Sequence, residues 1–190
     1  ADLVAYVRSQ PWGKRTVIVY TSDHGEQFRE HGQLGHTASL FDVETHVPMW
    51  IDAPPGTLTA PERAGITSYA DAATFHSDIT PTILDLMGLW DTPGVAGYKK
   101  QMVGGSLLRA GKPDVLVTMT NCAGVWGCAF QNWGVMLGFR KAIAREWDKD
   151  WLCYDVIADP KELKPLDHSQ CADLIAAANR IHKTLPGRGD

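Results

Sequence analysis

Thr16-Val17-Ile18-Val19-Tyr20-Thr21-Ser22-Asp23-His24-Gly25-Glu26 is the stretch whose reading decides the fold. Its first five residues are a β-branched run closed by Tyr20, bounded upstream by the turn signal Pro11-Trp12-Gly13 and lacking polar alternation. That pattern predicts a strand buried on both faces in a parallel or mixed sheet. The run empties into a polar cluster at the strand's carboxyl end, the edge at which open α/β sheets place their ligands. Gly25 allows the backbone to leave extended geometry, so that Asp23 and His24 turn toward one pocket. A carboxylate and a neutral imidazole are ligands for a hard or borderline divalent cation. Two ligands do not complete a site, because catalytic cations take further protein ligands or several waters.

Working outward, Asp2–Val7 reads as the end of a helix, and a short helix near Ser39–Thr45 leads to a second strand at Val47–Asp52. Ala53–Ala64 is a Pro/Gly/Thr loop. The next helix has Asp78 or Thr80 as N-cap, Pro81 in its first turn and Gly88 at its end, with Ile79, Ile83, Leu86 and Met87 facing the core. Trp90–Gly105 reads as irregular, and Val115–Met119 as a third strand. From Trp133 the texture changes to short antiparallel signals: Gly134–Phe139, Lys141–Arg145 and Trp151–Ile157. A last helix over Cys171–Leu185 carries Leu174, Ile175, Ala178, Ile181 and Leu185 on one face. The expected division is residues 1–132 as an α/β portion and 133–190 as a small sheet-and-helix subdomain.

Composition narrows the function classes. The 190 residues carry 18 basic and 22 acidic side chains with 44% apolar residues, which is globular rather than disordered composition. A mildly acidic balance without clustered Lys and Arg argues against a nucleic-acid partner. No apolar run reaches the roughly 18–20 residues of a membrane span. Ala1–Gln10 lacks the basic start of a signal peptide. Cys122 and Cys128 have the wrong spacing for CxxC chemistry, and the four cysteines read best as two disulfides from an oxidising compartment. Three connectivities are open; 122–128 and 153–171 are favoured because each closes a local loop.

Four of the seven histidines, His24, His31, His36 and His46, fall within 23 residues. The pattern Thr16–Glu26, then Glu30-His31-Gly32, then Thr45-His46-Val47-Pro48 resembles the C-terminal half of a sulfatase of the alkaline phosphatase superfamily. The similarity continues in His76-Ser-Asp-Ile-Thr-Pro-Thr-Ile-Leu-Asp-Leu-Met-Gly88, in Gly104-Gly-Ser-Leu-Leu108, and in Cys153-Tyr-Asp-Val-Ile-Ala-Asp-Pro-Lys-Glu162. Phe41–Pro48 is especially similar to iduronate sulfatases, which hints at a sulfated sugar.

The resemblance implies an alkaline-phosphatase-like α/β fold, with a mixed sheet flanked by helices followed by a small C-terminal antiparallel sheet plus helix. It implies that Asp23 and His24 are metal ligands, for Ca²⁺ first and Mg²⁺ or Mn²⁺ next. His36 stands near the position where many sulfatases carry a sulfate-binding Lys, so it is the expected catalytic and substrate-binding residue. Its charge is weaker and pH-dependent, as in the phosphoethanolamine-transferase relatives. Glu26 is a candidate supporter of His24. His31, His46 and His76, the turn residues Asp155 and Asp159, and the Trp side chains, including Trp126 and Trp133, are read as structural.

The family's nucleophile lies in a Cys/Ser-x-Pro-x-Arg motif, and no Cys or Ser here begins one. The expectation is therefore the C-terminal segment of a longer, secreted, periplasmic or lysosome-like sulfatase. A formylglycine would be supplied by the N-terminal part of the same enzyme, the expected partner, and the segment alone would be inactive. A phosphodiester or phosphonate hydrolase, or a phosphoethanolamine transferase, is the alternative within the superfamily. A non-catalytic metal-binding or scaffold module is the alternative outside it, and self-association would cover the bare edges of Thr16–Tyr20.

Overall fold

The computed structural model describes residues 2–37, 39–111, 114–120 and 131–182. In chain order the helices are α1 (Asp2–Ser9), α2 (Asp42–Thr45), α3 (Ala60–Thr67), α4 (Ile79–Leu86), α5 (Pro93–Lys99) and α6 (Ala172–Ile181). The strands are β1 (Ile18–Thr21), β2 (Gln27–Phe28), β3 (Leu34–Gly35), β4 (Met49–Asp52), β5 (Val117–Thr120), β6 (Asn132–Leu137), β7 (Arg140–Arg145) and β8 (Leu152–Asp155). They form two compact units, each assembled from two separate stretches of chain. Unit 1 takes Ala1–Thr21 and Pro48–Val115; unit 2 takes Ser22–Val47 and Leu116–Asp190.

In unit 1, β1 pairs antiparallel with β4, Tyr20 opposite Trp50, and these two rings stack at 5.0 Å. The strand is half-buried rather than sealed on both faces, because among the described residues β4 is its one ladder partner. Arg8 of α1 ties the pair down, reaching Asp52 and the carbonyls of Gly13 and Thr16. The expected loop Ala53–Ala64 contains the start of α3: Thr59 and Glu62 close a capping box around the first turn, with Pro61 inside it. The Thr-x-x-Glu signal was present in the sequence and is what ends the loop. Likewise, α5 interrupts the stretch Trp90–Gly105.

The helix α4 turns a different face inward from the one its apolar residues suggest. Thr82 and Pro81 are buried, whereas Ile83 and Met87 are exposed. The reason is polar. Asp78, wholly buried, accepts from the Phe75 and Gly105 amides, Thr82 Oγ1 accepts from the Leu107 amide, and Ser106 donates to Asp85. Gly104-Gly-Ser-Leu-Leu108 is thus laid along α4 by hydrogen bonds. A Cβ on Gly104 would stand 2.1 Å from the Ser77 carbonyl oxygen, so only glycine fits there.

Arg109 extends the same contact, donating to Asp85 at 2.8 Å and to Asp91 at 2.6 Å. The guanidinium is the main reason the Asp85 carboxyl titrates below its usual range, with burial opposing. A carboxylate whose folded pKa is depressed stabilises the fold above its unfolded value and loses that contribution as pH falls through the folded one. Arg109 is half-exposed, so we expect Arg109→Gln to cost about 1 kcal/mol at neutral pH. That gap between wild type and variant, read from urea midpoints, should close once pH falls well below 3.8.

Unit 2 is built on the antiparallel sheet β5-β6-β7-β8. The residues Val117–Thr120 therefore open this sheet, paired with β6, rather than extending the β1 sheet. One face packs α6 through Val135, Ala142, Ala144, Trp151, Cys153, Cys171, Leu174 and Ala178. The other face packs Leu40 and Phe41 against Ile143, Tyr154 and Val156. Cys153 and Cys171 are joined by a disulfide between β8 and the start of α6; Cys122, Cys128 and Trp126 lie outside the described residues. Ile181 is exposed at the last residue of α6, and Leu185 also lies outside the described residues.

Candidate metal centre

Every residue of the candidate centre belongs to unit 2, on the segment Ser22–Val47. The loop Ser22–Glu26 is pinned at its middle: the Gly25 amide donates to the Glu44 carbonyl at 2.8 Å. Its Cα approaches α2 so closely that a Cβ would lie 2.1 Å from the Val43 carbonyl oxygen. Next, β2 and β3 form a two-rung ladder, Gln27 opposite Gly35 and Phe28 opposite Leu34. The connecting turn needs left-handed backbone at Arg29, His31 and Gly32, and the exit needs it at Gly35 and Thr37. The ladder brings His36 back beside Glu26.

Beneath the ladder, Gln27 is fully buried and donates to Ser39 Oγ at 2.9 Å and to the Glu44 carboxylate, while Ser39 also donates to Glu44 at 2.7 Å. The same Glu44 thus anchors the loop through its carbonyl and the ladder through its side chain. A buried carboxylate with two donors is a rigid support, because moving either donor leaves charge unpaired.

At the surface, the His24 amide donates to Asp23 Oδ1 at 3.1 Å and holds that carboxyl below the usual carboxylate range. His24 Nδ1 lies 2.8 Å from the Gly25 carbonyl, so Nδ1 carries the proton and Nε2 is left as the lone-pair donor. This hydrogen bond, with Asp23 and Glu26 nearby, raises the His24 pKa against the opposing effect of burial. His24 Nε2 is 3.6 Å from Asp23 Oδ2. A fixed imidazole tautomer beside a carboxylate is the arrangement that metal-ligating histidines adopt, so the Asp23–His24 pair fits a divalent cation.

The His24 ring stacks on His36 with centroids 4.1 Å apart. His36 Nδ1 donates to Glu26 Oε2 at 2.9 Å. His24, Glu26 and His36 are, among the described residues, the group of three donors whose ligand atoms all lie within 4.8 Å of one another. The sequence-predicted residues Asp23, His24 and His36 are therefore brought together. Glu26, which the sequence suggested as a support for His24, is instead bonded to His36; its spacing of ten residues across a glycine-bearing turn was the available signal.

The other histidines stand apart in role. His31 stacks on Phe41 at 3.6 Å, and burial, with Arg145 and Lys141 nearby, lowers its pKa. His46 is exposed beside Asp42 at 3.7 Å. His76, in unit 1, lies 3.4 Å from Thr21 Oγ1.

Comparison with known proteins places this geometry in context. The Sulfatase family model matches residues 1–89. Among curated proteins the chain is 33% identical to arylsulfatase K of Mus musculus over 87 residues, 45% of this chain and 14% of that protein. It is 33% identical to arylsulfatase K of Danio rerio over 99 residues, 51% of this chain and 17% of that protein. The chain thus spans about one sixth or less of the length of these relatives. Among solved structures, a protein of Bacteroides thetaiotaomicron VPI-5482 assigned to the sulfatases superposes with a TM-score of 0.63 at 20% identity, over 95% of this chain and 38% of that one. A 2-O GAG sulfatase superposes with a TM-score of 0.56 at 20% identity, over 94% of this chain and 37% of that one. The fold is that of these alkaline-phosphatase-like enzymes.

Proposed function

Since the Sulfatase family model matches residues 1–89, we propose that the chain supplies the cation-binding and anion-orienting end of an active site that hydrolyses sulfate esters. The observation that carries this reading is the Asp23–His24 pair, a fixed imidazole with its Nε2 3.6 Å from a carboxylate held ionised. Asp23 and His24 would hold a divalent cation, which the resemblance implies to be Ca²⁺ in the first place; when bound, it polarises the sulfate and offsets the charge that develops on its oxygens. His36, its Nδ1–H held by Glu26, would in its protonated form donate its Nε2–H to a sulfate oxygen. The nucleophile, a formylglycine, comes from polypeptide outside these 190 residues, which is the partner this reading requires. The disulfide Cys153–Cys171 supports an oxidising compartment. The similarity to arylsulfatases and to a 2-O GAG sulfatase favours an aryl or sugar sulfate as substrate.

A second reading keeps the fold and changes the acid: His36 in place of a permanently charged Lys favours phosphate esters instead. One experiment separates the two. The complete enzyme containing this chain is assayed on matched aryl sulfate and aryl phosphate, with and without chelator. The sulfatase reading expects the sulfate ester to be the better substrate, with activity lost on chelation. It also expects Asp23→Asn to lower kcat/KM about 100-fold, or about 2.7 kcal/mol of transition-state stabilisation. A preference for the phosphate ester selects the second reading, and indifference to both chelator and Asp23→Asn overturns the first.

A further inference from the structure

The group that holds His36 in place has a donor set of its own. Glu26 Oε2 and His36 Nδ1 are 2.9 Å apart, the His24 and His36 rings are stacked at 4.1 Å, and one ligand atom from each of His24, Glu26 and His36 lies within 4.8 Å of the other two. Two imidazoles and one carboxylate are not the donors of Ca²⁺, which takes six or more oxygens. They are those of Zn²⁺, whose bonds of roughly 2.0–2.1 Å put neighbouring ligand atoms in a tetrahedron about 3.4 Å apart. The three side chains are 41–46% exposed, so contraction from 4.8 Å takes rotation of surface torsions and leaves the backbone alone. The backbone beneath them is fixed by the Gly25–Glu44 hydrogen bond and the Gln27–Ser39–Glu44 cluster.

We infer that His24, Glu26 and His36 form a second, nitrogen-rich site that binds Zn²⁺, shared with the Asp23–His24 pair through one imidazole. The two modes exclude each other at His24. A Zn²⁺ so held also takes His36 away from the sulfate, so transition cations act as inhibitors of the complete enzyme. The inhibitory consequence rests on the function proposed above; the binding itself does not.

The test uses the 190-residue chain, stripped with chelator, and Zn²⁺ as the probe. Calorimetric titration should show one Zn²⁺ site whose affinity falls at least tenfold in Glu26→Gln and in His36→Gln and changes less than threefold in Asp23→Asn. Far-UV circular dichroism confirms that each variant is folded. Because a variant can fail that check, the wild-type chain carries a second measurement: in ¹⁵N-imidazole NMR spectra, Zn²⁺ should shift the ring nitrogens of both His24 and His36. Absence of Zn²⁺ binding by the wild type, or a shift confined to His24, overturns the inference. So does an affinity that depends on Asp23 and is indifferent to Glu26 and His36. That last pattern would leave the Asp23–His24 cation reading intact, whereas absence of Ca²⁺-dependent sulfate hydrolysis by the complete enzyme, with Zn²⁺ binding by this chain retained, would remove the reading and keep the second site.

Discussion

Replacing Lys141 by Met should destabilise unit 2 by about 3–5 kcal/mol, the usual result of removing one partner from a buried ion pair. Lys141 is wholly buried on β7, and its Nζ reaches Asp42 Oδ1 at 2.5 Å, Glu162 Oε1 at 2.7 Å and the Leu40 carbonyl at 2.9 Å. Glu162 is itself buried and accepts from the Asp42 amide at 2.5 Å. Without the ammonium, two carboxylates, Asp42 and the more deeply buried Glu162, are left without their cation at the start of α2. Burial already pushes the Glu162 carboxyl up in the intact protein, with Lys141 opposing it.

The pH dependence of the variant follows. With Lys141 gone the folded pKa of Glu162 rises further above its unfolded value. A group raised in this way favours the fold at low pH, and the benefit is lost as pH rises through the folded pKa. The deficit of Lys141→Met relative to wild type should therefore be largest at neutral pH and shrink on acidification. The double variant Lys141→Met/Glu162→Gln removes the more deeply buried of the two orphaned charges while keeping an acceptor for the Asp42 amide, and should recover about half of the loss. Urea denaturation of the two variants at two pH values checks this; equal deficits in single and double variant would mean that the uncompensated Glu162 charge is not the cause.

Gly25→Ala should be the most damaging small substitution near the cation residues. The added carbon would sit 2.1 Å from the Val43 carbonyl oxygen and 3.0 Å from its carbon, both backbone atoms that cannot swing aside. The loop must lift off α2, which breaks the Gly25–Glu44 hydrogen bond and carries Asp23 and His24 with it. Overpacking of this kind costs typically about 1–3 kcal/mol, and more where backbone is the obstacle; we expect about 3 kcal/mol. Divalent-cation affinity should fall more than tenfold even at temperatures where the variant is folded. Calorimetry and thermal melts on the same samples separate the two effects. A variant that melts early yet binds cations normally when folded would show that the loop's seat on α2 does not set the ligand geometry.

The local signals that were legible concern what a residue does to its own backbone. The turn into Thr16–Tyr20, Pro81 in the first turn of α4 and Gly88 beyond its end, and the three strands from Trp133 on were all readable because propensity and capping act over a few residues. The identities of Asp23, His24 and His36 were readable as a motif, although their roles rest on resemblance. What could not be read depended on partners far along the chain. The inward face of α4 was misassigned because Asp78, Thr82 and Asp85 bind the Gly105–Leu107 segment, and those hydrogen bonds outweigh the burial of Ile83 and Met87. The strand expected at Val115–Met119 is present as Val117–Thr120, but its partner β6 could not be read, because pairing choice is not encoded in the strand itself. Lys141 was legible only as the first residue of a short antiparallel signal. Nothing local distinguishes a lysine that will meet Asp42 and Glu162 from one that meets water.

The two-segment construction of unit 2 bears on when the ligand residues first acquire their geometry during synthesis. Helix α2 supports Asp23, His24 and the β2–β3 ladder, yet its own anchors, Lys141 and Glu162, follow Asp42 by 99 and 120 residues. At a ribosomal rate of roughly 5–20 residues per second, the ligand loop waits on the order of 6–24 s before its foundation has even been made. For the first part of that interval, until Val115 is made, unit 1 is also unfinished. The loop carrying the histidines is thus an early-translated, late-folding element, open to cations and chaperones alike until the final sheet closes over Leu40 and Phe41.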